Sequence, residues 1–333
     1  MNRTAVLGAG SWGTALAIHL ARAGHVVRLW ARDSALAGEM RTTSANERYL
    51  PGIAIPAEVV PTASLEEAVS DAHFVVIAVP SHGLRAVVRG AAQHLAPDAI
   101  LVSATKGLEV ETLLRMSQVI ESETAGCCRT VALSGPSFAL EMARGLPTAV
   151  LAASADAQAA AAVQEHFRAR GLRLYVSDDV AGVEIGAALK NVIAIAAGAV
   201  EGLGLGHNAL AALITRGLAE MSRLACAEGG RRDTLAGLSG LGDLVLTCTG
   251  DLSRNRHVGI ELGRGRPLAE ILGSMRMVAE GIRTTGAALA LGARHGIELP
   301  IAAQMQEVLD GRRSPLSAVE ALMGRRQRAE ADG

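Results

Sequence analysis

The stretch VLGAGSWGT at residues 6–14 is the most informative part of the sequence. It follows a short apolar run typical of a strand, and it opens a helical pattern over Trp12–Ala23. At this spacing Gly8 makes the tight turn, Gly10 lets a pyrophosphate approach the backbone, and Gly13 lets the helix pack against the sheet. The helix N-terminus adds free N–H groups for phosphate oxygens. Ordinary glycine-rich turns can have the same spacing, but the flanking strand and helix favour a dinucleotide site.

The first half of the chain alternates between strand-like and helix-like patterns. Strands are predicted at Thr4–Leu7, Val26–Trp30, His73–Val79, Ala99–Ala104, Thr130–Leu133, Thr148–Ala153 and Leu172–Val176. A helix is predicted at Asp156–Ala169, and the segment around Tyr49–Gly52 is predicted as a loop. Alternation of this kind is typical of a doubly wound, mostly parallel sheet. We therefore predict a Rossmann-type α/β domain that binds a dinucleotide over residues 1–179.

The pattern changes near Asp178, after which we find no convincing strand-like run. Helices are predicted at Val180–Val200, Ala209–Glu228, Thr234–Thr247, Leu268–Leu272, Thr284–His295, Pro300–Leu309 and Ala318–Met323. Their apolar residues recur at helical spacing. The prediction for residues 180–333 is therefore an all-helical domain that carries the substrate and catalytic groups.

Composition excludes several classes of protein. Half of the 333 residues are hydrophobic, 2% are aromatic, and the net charge is −1. Such a chain lacks the excess of basic residues that is typical of nucleic-acid-binding proteins. A few individual cationic side chains must therefore hold any anionic ligand. The four cysteines have neither metal-ligand spacing nor the pattern of a disulfide framework, which favours a cytoplasmic protein without a metal site. The most apolar stretch, Ile185–Val200, is too short to span a bilayer, so we expect no membrane insertion.

Small and polar residues follow the predicted parallel strands, at the edge where such sheets bind ligands. They are Gly8–Gly13, Ala31–Asp33, Pro80–His82, Thr105–Gly107 and Ser134–Phe138. An NAD site usually carries an acid after the second strand, for the ribose hydroxyls, whereas an arginine suits the 2′-phosphate of NADP. Here Arg32 precedes Asp33. NADPH is therefore favoured over NADH, the alternative being an Arg32 that only pairs with Asp33 in a solvated loop.

Lys190 lies in a helical segment that is apolar on nearly every side, EIGAALKNVIAIAAG at residues 184–198. A lysine is rarely fully buried without a partner, and its pKa shifts readily on burial, which suits it to proton transfer. The alternative is a lysine whose stem is buried while its ammonium reaches water. Asn191 cannot share the helix face of Lys190, but it can hydrogen-bond a second part of a ligand.

A second cluster spans residues 237–256, with the sequence GLSGLGDLVLTCTGDLSRNR. Asp243 stands between glycine turns and an apolar run, where a carboxylate can orient a lysine. The run Ser253–Arg256 is dense in hydrogen-bond donors and suits a phosphate group, although a solvated basic turn would have the same composition. Glu280 is a lone acid beside a glycine and by itself is expected at the surface.

Taken together, these segments make the chain resemble the bacterial NAD(P)-dependent glycerol-3-phosphate dehydrogenases. The blocks that carry the resemblance are GAGSWGTAL, YLPGI, ATKGLE, SGPSFA, ARGLPTAV, ALKNVIAIAAG, GLGDLVLTCT, SRNR and AEGIRTT. Many dehydrogenases share the first block, whereas ALKN and the pair GLGDL and SRNR are much more specific. The resemblance covers nearly the whole chain. It implies a Rossmann-type domain followed by a helical domain, the fold of the 6-phosphogluconate dehydrogenase-like enzymes, with catalysis in the cleft between them.

The resemblance also implies roles for individual residues. Lys190 would donate and accept the proton, with Asp243 as the second catalytic residue. The cofactor site would comprise Gly8, Gly10, Ser11, Trp12, Gly13, Arg32, Lys106, Ala139, Arg254, Val278 and Glu280. The triose phosphate would contact Lys106, Gly135, Ser137, Lys190, Asp243, Ser253, Arg254 and Asn255.

By this resemblance the chain reduces dihydroxyacetone phosphate to sn-glycerol 3-phosphate with NADPH or NADH and feeds glycerophospholipid synthesis. Its partners would be small molecules, with a homodimer as the assembly considered. A ketopantoate reductase-like enzyme would share the two-domain plan and the helix lysine, but it would handle a carboxylate, and the donor-rich run Ser253–Arg256 disfavours it. A dinucleotide-sensing module without catalysis would leave Lys190 unexplained.

Overall fold

The computed structural model describes residues 3–275, 279–327 and 329. Its strands are β1 (Arg3–Leu7), β2 (Val26–Trp30), β3 (Ala45–Asn46), β4 (Leu50–Ala54), β5 (Val59–Thr62), β6 (Phe74–Ile77), β7 (Ile100–Ser103), β8 (Arg129–Ser134), β9 (Thr148–Ala153) and β10 (Leu172–Ser177). Its helices are α1 (Ser11–Arg22), α2 (Ser34–Thr43), α3 (Leu65–Val69), α4 (Ser81–Ala92), α5 (Met116–Glu123), α6 (Ala139–Ala143), α7 (Ala157–Phe167), α8 (Val180–Gly202), α9 (Gly206–Ala227), α10 (Arg232–Ala236), α11 (Asp243–Thr249), α12 (Arg254–Gly263), α13 (Leu268–Ser274), α14 (Glu280–Arg294), α15 (Pro300–Leu309) and α16 (Pro315–Met323).

The chain divides into two compact units. The first contains the residues up to Thr105 together with Met116–Val180, and the second contains Lys106–Arg115 together with the residues from Ala181 onward. The first unit thus ends one residue from the sequence-based boundary at 179. Residues 106–115 join the second unit because Leu108 packs into its hydrophobic core.

One large sheet forms the centre of the first unit. Its strand order is β10-β9-β8-β7-β6-β1-β2-β5. The pairs are parallel except β8 with β9, so β9 and β10 run against the other strands. The predicted mostly parallel sheet is therefore confirmed. The chain runs outward from β1 to β2 and later returns to β6 on the other side of β1, and ligands bind at the carboxyl ends of strands where the order reverses in this way.

The predicted loop around Tyr49–Gly52 was wrong, because a short antiparallel hairpin of β3 and β4 occupies this segment. Pro51 and Gly52 within β4 removed the alternating pattern by which strands are detected. The hairpin is tied to the glycine stretch, since the Asn46 amide donates to Ala9 O at 3.0 Å and to Thr14 Oγ1 at 2.8 Å.

Helix α8 forms the core of the second unit and is buried from Gly182 to Val200. Helix α12 crosses it where glycines allow the two backbones to touch. A Cβ atom on Gly198 would lie 2.0 Å from the carbonyl oxygen of Arg256, and one on Gly259 would lie 1.9 Å from that of Ile195. This contact fixes the two helices against each other and thereby positions the donor-rich start of α12.

The single helix predicted at Thr234–Thr247 is broken in the structure. Helix α10 is followed by a turn of π-helix, Leu238–Gly242, and then by α11. The backbone folds tightly here, since a Cβ on Gly240 would lie 2.0 Å from the carbonyl oxygen of Leu235. A continuous α-helix is therefore excluded, and α11 begins at Asp243 instead.

By length and composition alone, α8 could cross a membrane, and 89% of its most apolar 18-residue window is buried inside the structure. The helix has 23 residues, longer than the stretch Ile185–Val200 considered from the sequence, so the length argument against a span was wrong. Burial of this extent is that of a core helix.

Candidate active site

The glycine stretch after β1 has the conformation that a dinucleotide turn requires. Gly8 has a φ of +117°, and a Cβ there would lie 2.8 Å from the carbonyl oxygen of Ala78. A Cβ on Gly13 would lie 1.8 Å from the carbonyl oxygen of Gly8. Only glycine fits at either position, and the helix consequently begins directly against the end of the strand.

The start of α1 offers hydrogen-bond donors to a ligand. Gly10 is its N-cap, and in the described part of the chain no side chain caps the first N–H groups. A Cβ on Gly10 would meet nothing within 4 Å, so the backbone is open to close approach there. The Trp12 indole N–H is buried and has no acceptor among the described residues. Ser11 Oγ donates to the carbonyl oxygen of Tyr49 at 2.5 Å. These features fit the pyrophosphate of a dinucleotide.

Arg32 lies exposed after β2, beside an aspartate with other partners. The Asp33 carboxylate caps α2 by accepting from the N–H groups of Ala35 and Leu36, at 3.0 and 3.4 Å. It also pairs with Arg48 at 3.0 Å. The backbone N–H groups, with Arg48, hold the pKa of Asp33 below its ordinary value. The Asp33 carboxylate therefore has a structural role, since it caps α2 and neutralises Arg48. The Arg32 side chain lies at the surface.

Three further predicted contacts follow β8. Gly135 has a φ of +127°, and a Cβ there would lie 3.1 Å from Cα of Val150. Ser137 Oγ donates to the carbonyl oxygen of Gly135 at 2.8 Å, and Ala139 begins α6. Because β8 runs parallel to β1, the structure places them at the same sheet edge as the glycine stretch.

Three charged side chains meet inside the second unit. Lys190 Nζ lies 2.5 Å from Asp243 Oδ1, and Lys106 Nζ lies 2.8 Å from Asp243 Oδ2. Lys190 also donates to Thr247 Oγ1 at 3.0 Å. The side chains of Lys190, Asp243 and Lys106 are 7%, 1% and 18% exposed. One buried carboxylate therefore holds two ammonium groups, one on each oxygen.

Burial controls the proton affinities of this cluster. Burial lowers the pKa of Lys190 to about 7, with Asp243 opposing the shift and Lys106 reinforcing it by like-charge repulsion. Burial by itself would raise the pKa of Asp243, but Lys106 and Lys190 together outweigh it and the pKa is lowered. At neutral pH the carboxylate is ionised, whereas Lys190 can both give and take a proton, as a general acid–base group must.

Local structure brings these groups together from distant parts of the sequence. Lys190 lies in the middle of α8, and Asp243 is the first residue of α11, directly after the π-helical turn. Thr247, one turn further along α11, donates to the backbone carbonyl of Asp243 at 2.5 Å. The structure thus brings Lys190 and Asp243 into direct contact, and their catalytic roles stay a prediction.

Sequence reasoning missed the ion pair between Lys106 and Asp243 and the contact of Lys190 with Thr247. The amino-acid composition does contain a signal for the ion pair between Lys106 and Asp243. Of the 32 Lys and Arg residues only two are lysines, Lys106 and Lys190, and both bind Asp243. The two lysines of a chain that otherwise uses arginine therefore share one carboxylate, and a lysine amine, unlike a guanidinium, changes its pKa readily when buried.

The donor-rich run forms the start of α12. Ser253 is the N-cap, and its Oγ accepts from the Arg256 N–H at 3.2 Å. The Asn255 amide donates to Asn191 Oδ1 and accepts from the N–H of Gly281, both at 3.0 Å. Asn191 and Asn255 therefore tie α8, α12 and α14 together, and much of the hydrogen-bonding capacity of Asn255 is used within the protein.

Two predictions about neighbouring charges need correction. Arg256 does not belong with the phosphate donors, because it pairs with Glu201 at 2.8 Å and Asp251 at 3.0 Å. Arg254 is exposed at the first position of α12. Glu280, expected at the surface, is half-buried at the start of α14 and interacts electrostatically with Arg254. The predicted cofactor contact Val278 lies outside the described residues.

The cysteines are free thiols. Cys127 and Cys226 are exposed, and Cys248 is buried near the lysine cluster. Burial raises the pKa of Cys248 to about 12, so this thiol stays protonated. Among residues 3–275, 279–327 and 329, no group of three or more His, Cys, Asp or Glu side chains is arranged to hold a metal ion.

Family models match both parts of the chain. The model of the NAD-dependent glycerol-3-phosphate dehydrogenase N-terminus matches residues 3–160, and that of the C-terminus matches residues 179–320. A curated glycerol-3-phosphate dehydrogenase (NAD(P)+) of Koribacter versatilis is 53% identical over 329 residues, which cover 98% of each chain. One of Geobacter sulfurreducens is 52% identical over 332 residues, again 98% of each chain.

Solved structures agree with these matches. The crystal structure of glycerol-3-phosphate dehydrogenase from Coxiella burnetii has a TM-score of 0.94 at 40% identity and covers 97% of this chain and 99% of its own. A ketopantoate reductase from Ralstonia eutropha has a TM-score of 0.61 at 18% identity, over 94% of this chain and 99% of its own. The second likeness shows a shared fold alone.

Proposed function

The chain belongs to the NAD-dependent glycerol-3-phosphate dehydrogenase family, and we propose that it reduces dihydroxyacetone phosphate to sn-glycerol 3-phosphate with NADPH or NADH. Its product carries the glycerol backbone of glycerophospholipids, so the reaction supplies lipid synthesis. The observation that carries this proposal is the buried cluster in which Asp243 binds Lys190 and Lys106.

The proton is handled by Lys190. The reduced nicotinamide, when bound, supplies the hydride to the ketone carbon. The Lys190 ammonium then donates its proton to the oxygen on which negative charge develops, and the neutral amine regains a proton from water. In the reverse direction the neutral amine accepts the hydroxyl proton. Asp243 stays ionised throughout, because both lysines hold its pKa low, and it keeps the Lys190 amine in place.

The phosphate of the substrate is assigned to the start of α12. Arg254 supplies the charge that a phosphate dianion requires, with the Ser253 hydroxyl and the remaining amide N–H of Asn255 as further donors. Binding energy from the phosphate then aligns the carbonyl for reaction. Lys106, Gly135 and Ser137 remain predicted substrate contacts.

The cofactor is assigned to the first unit, where Gly8–Gly13 and the start of α1 suit its pyrophosphate. NADPH is favoured because Arg32 is exposed after β2 while Asp33 is used as a helix cap. The remaining predicted cofactor contacts are Lys106, Ala139, Arg254, Val278 and Glu280. We assign the enzyme to the cytoplasm, a reducing compartment that its free cysteines support, and a homodimer is the assembly to test by light scattering.

Neither alternative is favoured. A ketopantoate reductase shares the fold at 18% identity, far below the 53% of the curated relative from Koribacter versatilis. A dinucleotide-sensing module has no need of a buried carboxylate shared by two lysines. Buried charges are costly, and such a cluster is typical of a site that moves protons.

The test is oxidation of NADPH and of NADH, each with dihydroxyacetone phosphate and with ketopantoate. We expect oxidation only with the triose phosphate, and faster oxidation of NADPH than of NADH at limiting cofactor. Turnover only with ketopantoate would mean that the donor-rich run Ser253–Arg256 binds a substrate carboxylate and not a phosphate. Binding of NADPH without turnover of either ketone would point to the sensing module.

A further inference from the structure

Residues 106–115 form a short closed loop, here called the lysine loop, that packs with the second unit. Leu108 and Arg115 pair across it as an antiparallel bridge. The N–H of Glu109 donates to the carbonyl oxygen of Leu114 at 3.0 Å. The two ends of the loop are therefore held side by side, with Lys106 at one end and Arg115 at the other.

The lysine loop has three attachments to the rest of the second unit. Lys106 binds Asp243, and the Leu108 side chain, 1% exposed, is buried in the hydrophobic core. At the far end, Arg115 Nη1 binds Glu184 Oε2 of α8 at 2.6 Å. The Arg115 and Glu184 side chains are 14% and 6% exposed, so this ion pair is as buried as the cluster it accompanies.

We infer that the Arg115–Glu184 ion pair is a positioning device for the reaction: it holds the lysine loop on helix α8 and thereby fixes the Lys106 ammonium beside Asp243. Arg115 pairs with Leu108, which is two residues from Lys106, so a movement of Arg115 is passed directly to the end of the loop that carries the amine. The catalytic part of this inference rests on the proposed function, whereas the positioning of the two lysines does not.

Removing either charge should displace the loop. A buried ion whose partner is lost is strongly destabilised, and it gains by moving toward water. Because Arg115 is bridged to Leu108 through the backbone, we expect its movement toward water to draw that end of the loop away from α8. Lys106 would then leave Asp243, and Lys190 would remain as the partner of that carboxylate.

The displacement has an electrostatic signature at Lys190. The charged and titratable groups that face this amine are Asp243 from α11, Lys106 from the lysine loop and the protonated thiol of Cys248. Lys106 is the like charge among them, and it lowers the pKa of Lys190. Withdrawal of Lys106 should therefore raise the pKa of Lys190. A purely structural ion pair would not change this titration.

The composition makes the measurement direct. Because the chain contains two lysines, protein labelled with ¹⁵N-lysine gives two side-chain signals, which Lys106→Arg assigns. We would titrate both signals in the full chain for the wild type, Glu184→Gln, Glu184→Asp and Arg115→Met. In Arg115→Lys the same two signals are followed beside the third signal that the new lysine adds. Glu261→Gln is the matched control, because Glu261 is also a nearly buried acid of the second unit paired with arginines, Arg264 and Arg266.

In Glu184→Gln and Arg115→Met we expect the pKa of Lys190 to rise and kcat/KM for dihydroxyacetone phosphate to fall by on the order of 10²-fold, the scale of a misplaced catalytic group. Arg115→Lys keeps the positive charge, so its Lys190 pKa and its kcat/KM should both stay close to the wild-type values. Glu184→Asp should raise the pKa of Lys190 by a smaller amount. If Glu184→Gln does not fold, Glu184→Asp tests the inference in its place.

Glu261→Gln should titrate like the wild type. The inference is overturned if the lysine titrations of folded Glu184→Gln and Arg115→Met match those of the wild type, or if Glu261→Gln shifts them equally. If the wild type does not reduce dihydroxyacetone phosphate, the proposed function fails, and the two titrations still decide whether Arg115 and Glu184 position Lys106.

Discussion

The two units of this molecule make their sites from different materials. In the first unit the site is made of backbone: Gly8, Gly10 and Gly13 remove side chains so that N–H groups and close approach become available. In the second unit the site is made of side chains, with Lys106, Lys190 and Asp243 converging from three distant segments.

This difference determines what each unit tolerates. A backbone site depends on the absence of atoms, so an added methyl group damages it. A side-chain site depends on charges that balance one another in a buried place, so the loss of one charge changes the proton affinity of the others.

Replacing the proton donor should have the largest effect. Lys190→Ala removes the amine while the glycine stretch of the first unit is untouched, so turnover should fall by about 10²- to 10⁴-fold, the usual contribution of general acid–base catalysis. NADPH affinity, measured by fluorescence titration, should stay near that of the wild type. Near-normal turnover in a folded Lys190→Ala variant would remove Lys190 from the mechanism.

A pair of glycine variants divides the backbone site into its structural and binding parts. Gly13→Ala places a methyl group 1.8 Å from the carbonyl oxygen of Gly8, and we expect destabilisation of the first unit by about 1–3 kcal/mol or more. Gly10→Ala meets no protein atom within 4 Å, so the unit should fold while NADPH affinity falls at least about 10-fold. Thermal unfolding and cofactor titration separate the two outcomes. Equal effects of both variants on stability would contradict the division.

Arg32→Ala should change the choice of cofactor without changing the chemistry. The loss of a charged hydrogen bond to the 2′-phosphate, about 1.5–3 kcal/mol, should raise the KM for NADPH by about 10-fold or more and leave the KM for NADH nearly unchanged. Arg48→Ala is the comparison, because Arg48 is paired with Asp33. If both cofactors lost affinity equally, Arg32 would have no part in discrimination.

The stabilities of the two units should also change in opposite directions as the pH falls. Burial raises the pKa of Glu220 in the second unit to about 7, where this acid accepts from the Ile301 N–H at 2.7 Å. Its folded form binds the proton more tightly than the unfolded chain, so the stability of this unit falls as the pH rises from about 4.5 to 7. Burial lowers the pKa of His19 in the first unit, so stability is lost there as the pH falls below 6.5.

Hydrogen exchange at pH 5 and pH 7 measures this difference in each unit separately, with effects of about 1 kcal/mol. Glu220→Gln should flatten the response of the second unit alone. His19→Gln should weaken that of the first unit alone without abolishing it, because burial lowers the pKa of His25 in that unit as well. A response of the second unit that persists in Glu220→Gln would assign it to another group.

The contrast also explains which features could be predicted from the sequence. The glycine stretch and the strands of the sheet are local, so spacing and apolar runs predict them, and β2 and β9 even have the predicted bounds. The hairpin at β3 and β4 was missed because Pro51 and Gly52 interrupt its pattern. The helix predicted at Thr234–Thr247 was wrong because backbone packing at Gly240 breaks it.

The side-chain site is less predictable because it depends on long-range contacts. Local pattern could single out Lys190 as a lysine in apolar surroundings and Asp243 as its partner, but nothing local indicates that Lys106 shares the same carboxylate. The Arg256 side chain shows the opposite error, since a residue in a donor-rich run is neutralised by Glu201 from another helix. Charges paired across elements are not visible in one segment of sequence.

The pH dependence of kcat/KM for reduction of dihydroxyacetone phosphate, measured in the wild type and in Lys190→Ala, tests directly whether Lys190 donates the proton. Reduction requires the protonated amine, so the wild-type rate should fall as the pH rises through about 7, and this limb should be absent from the residual activity of the variant. A limb that persists unchanged in Lys190→Ala would show that another group donates the proton and would contradict the account of the lysine cluster.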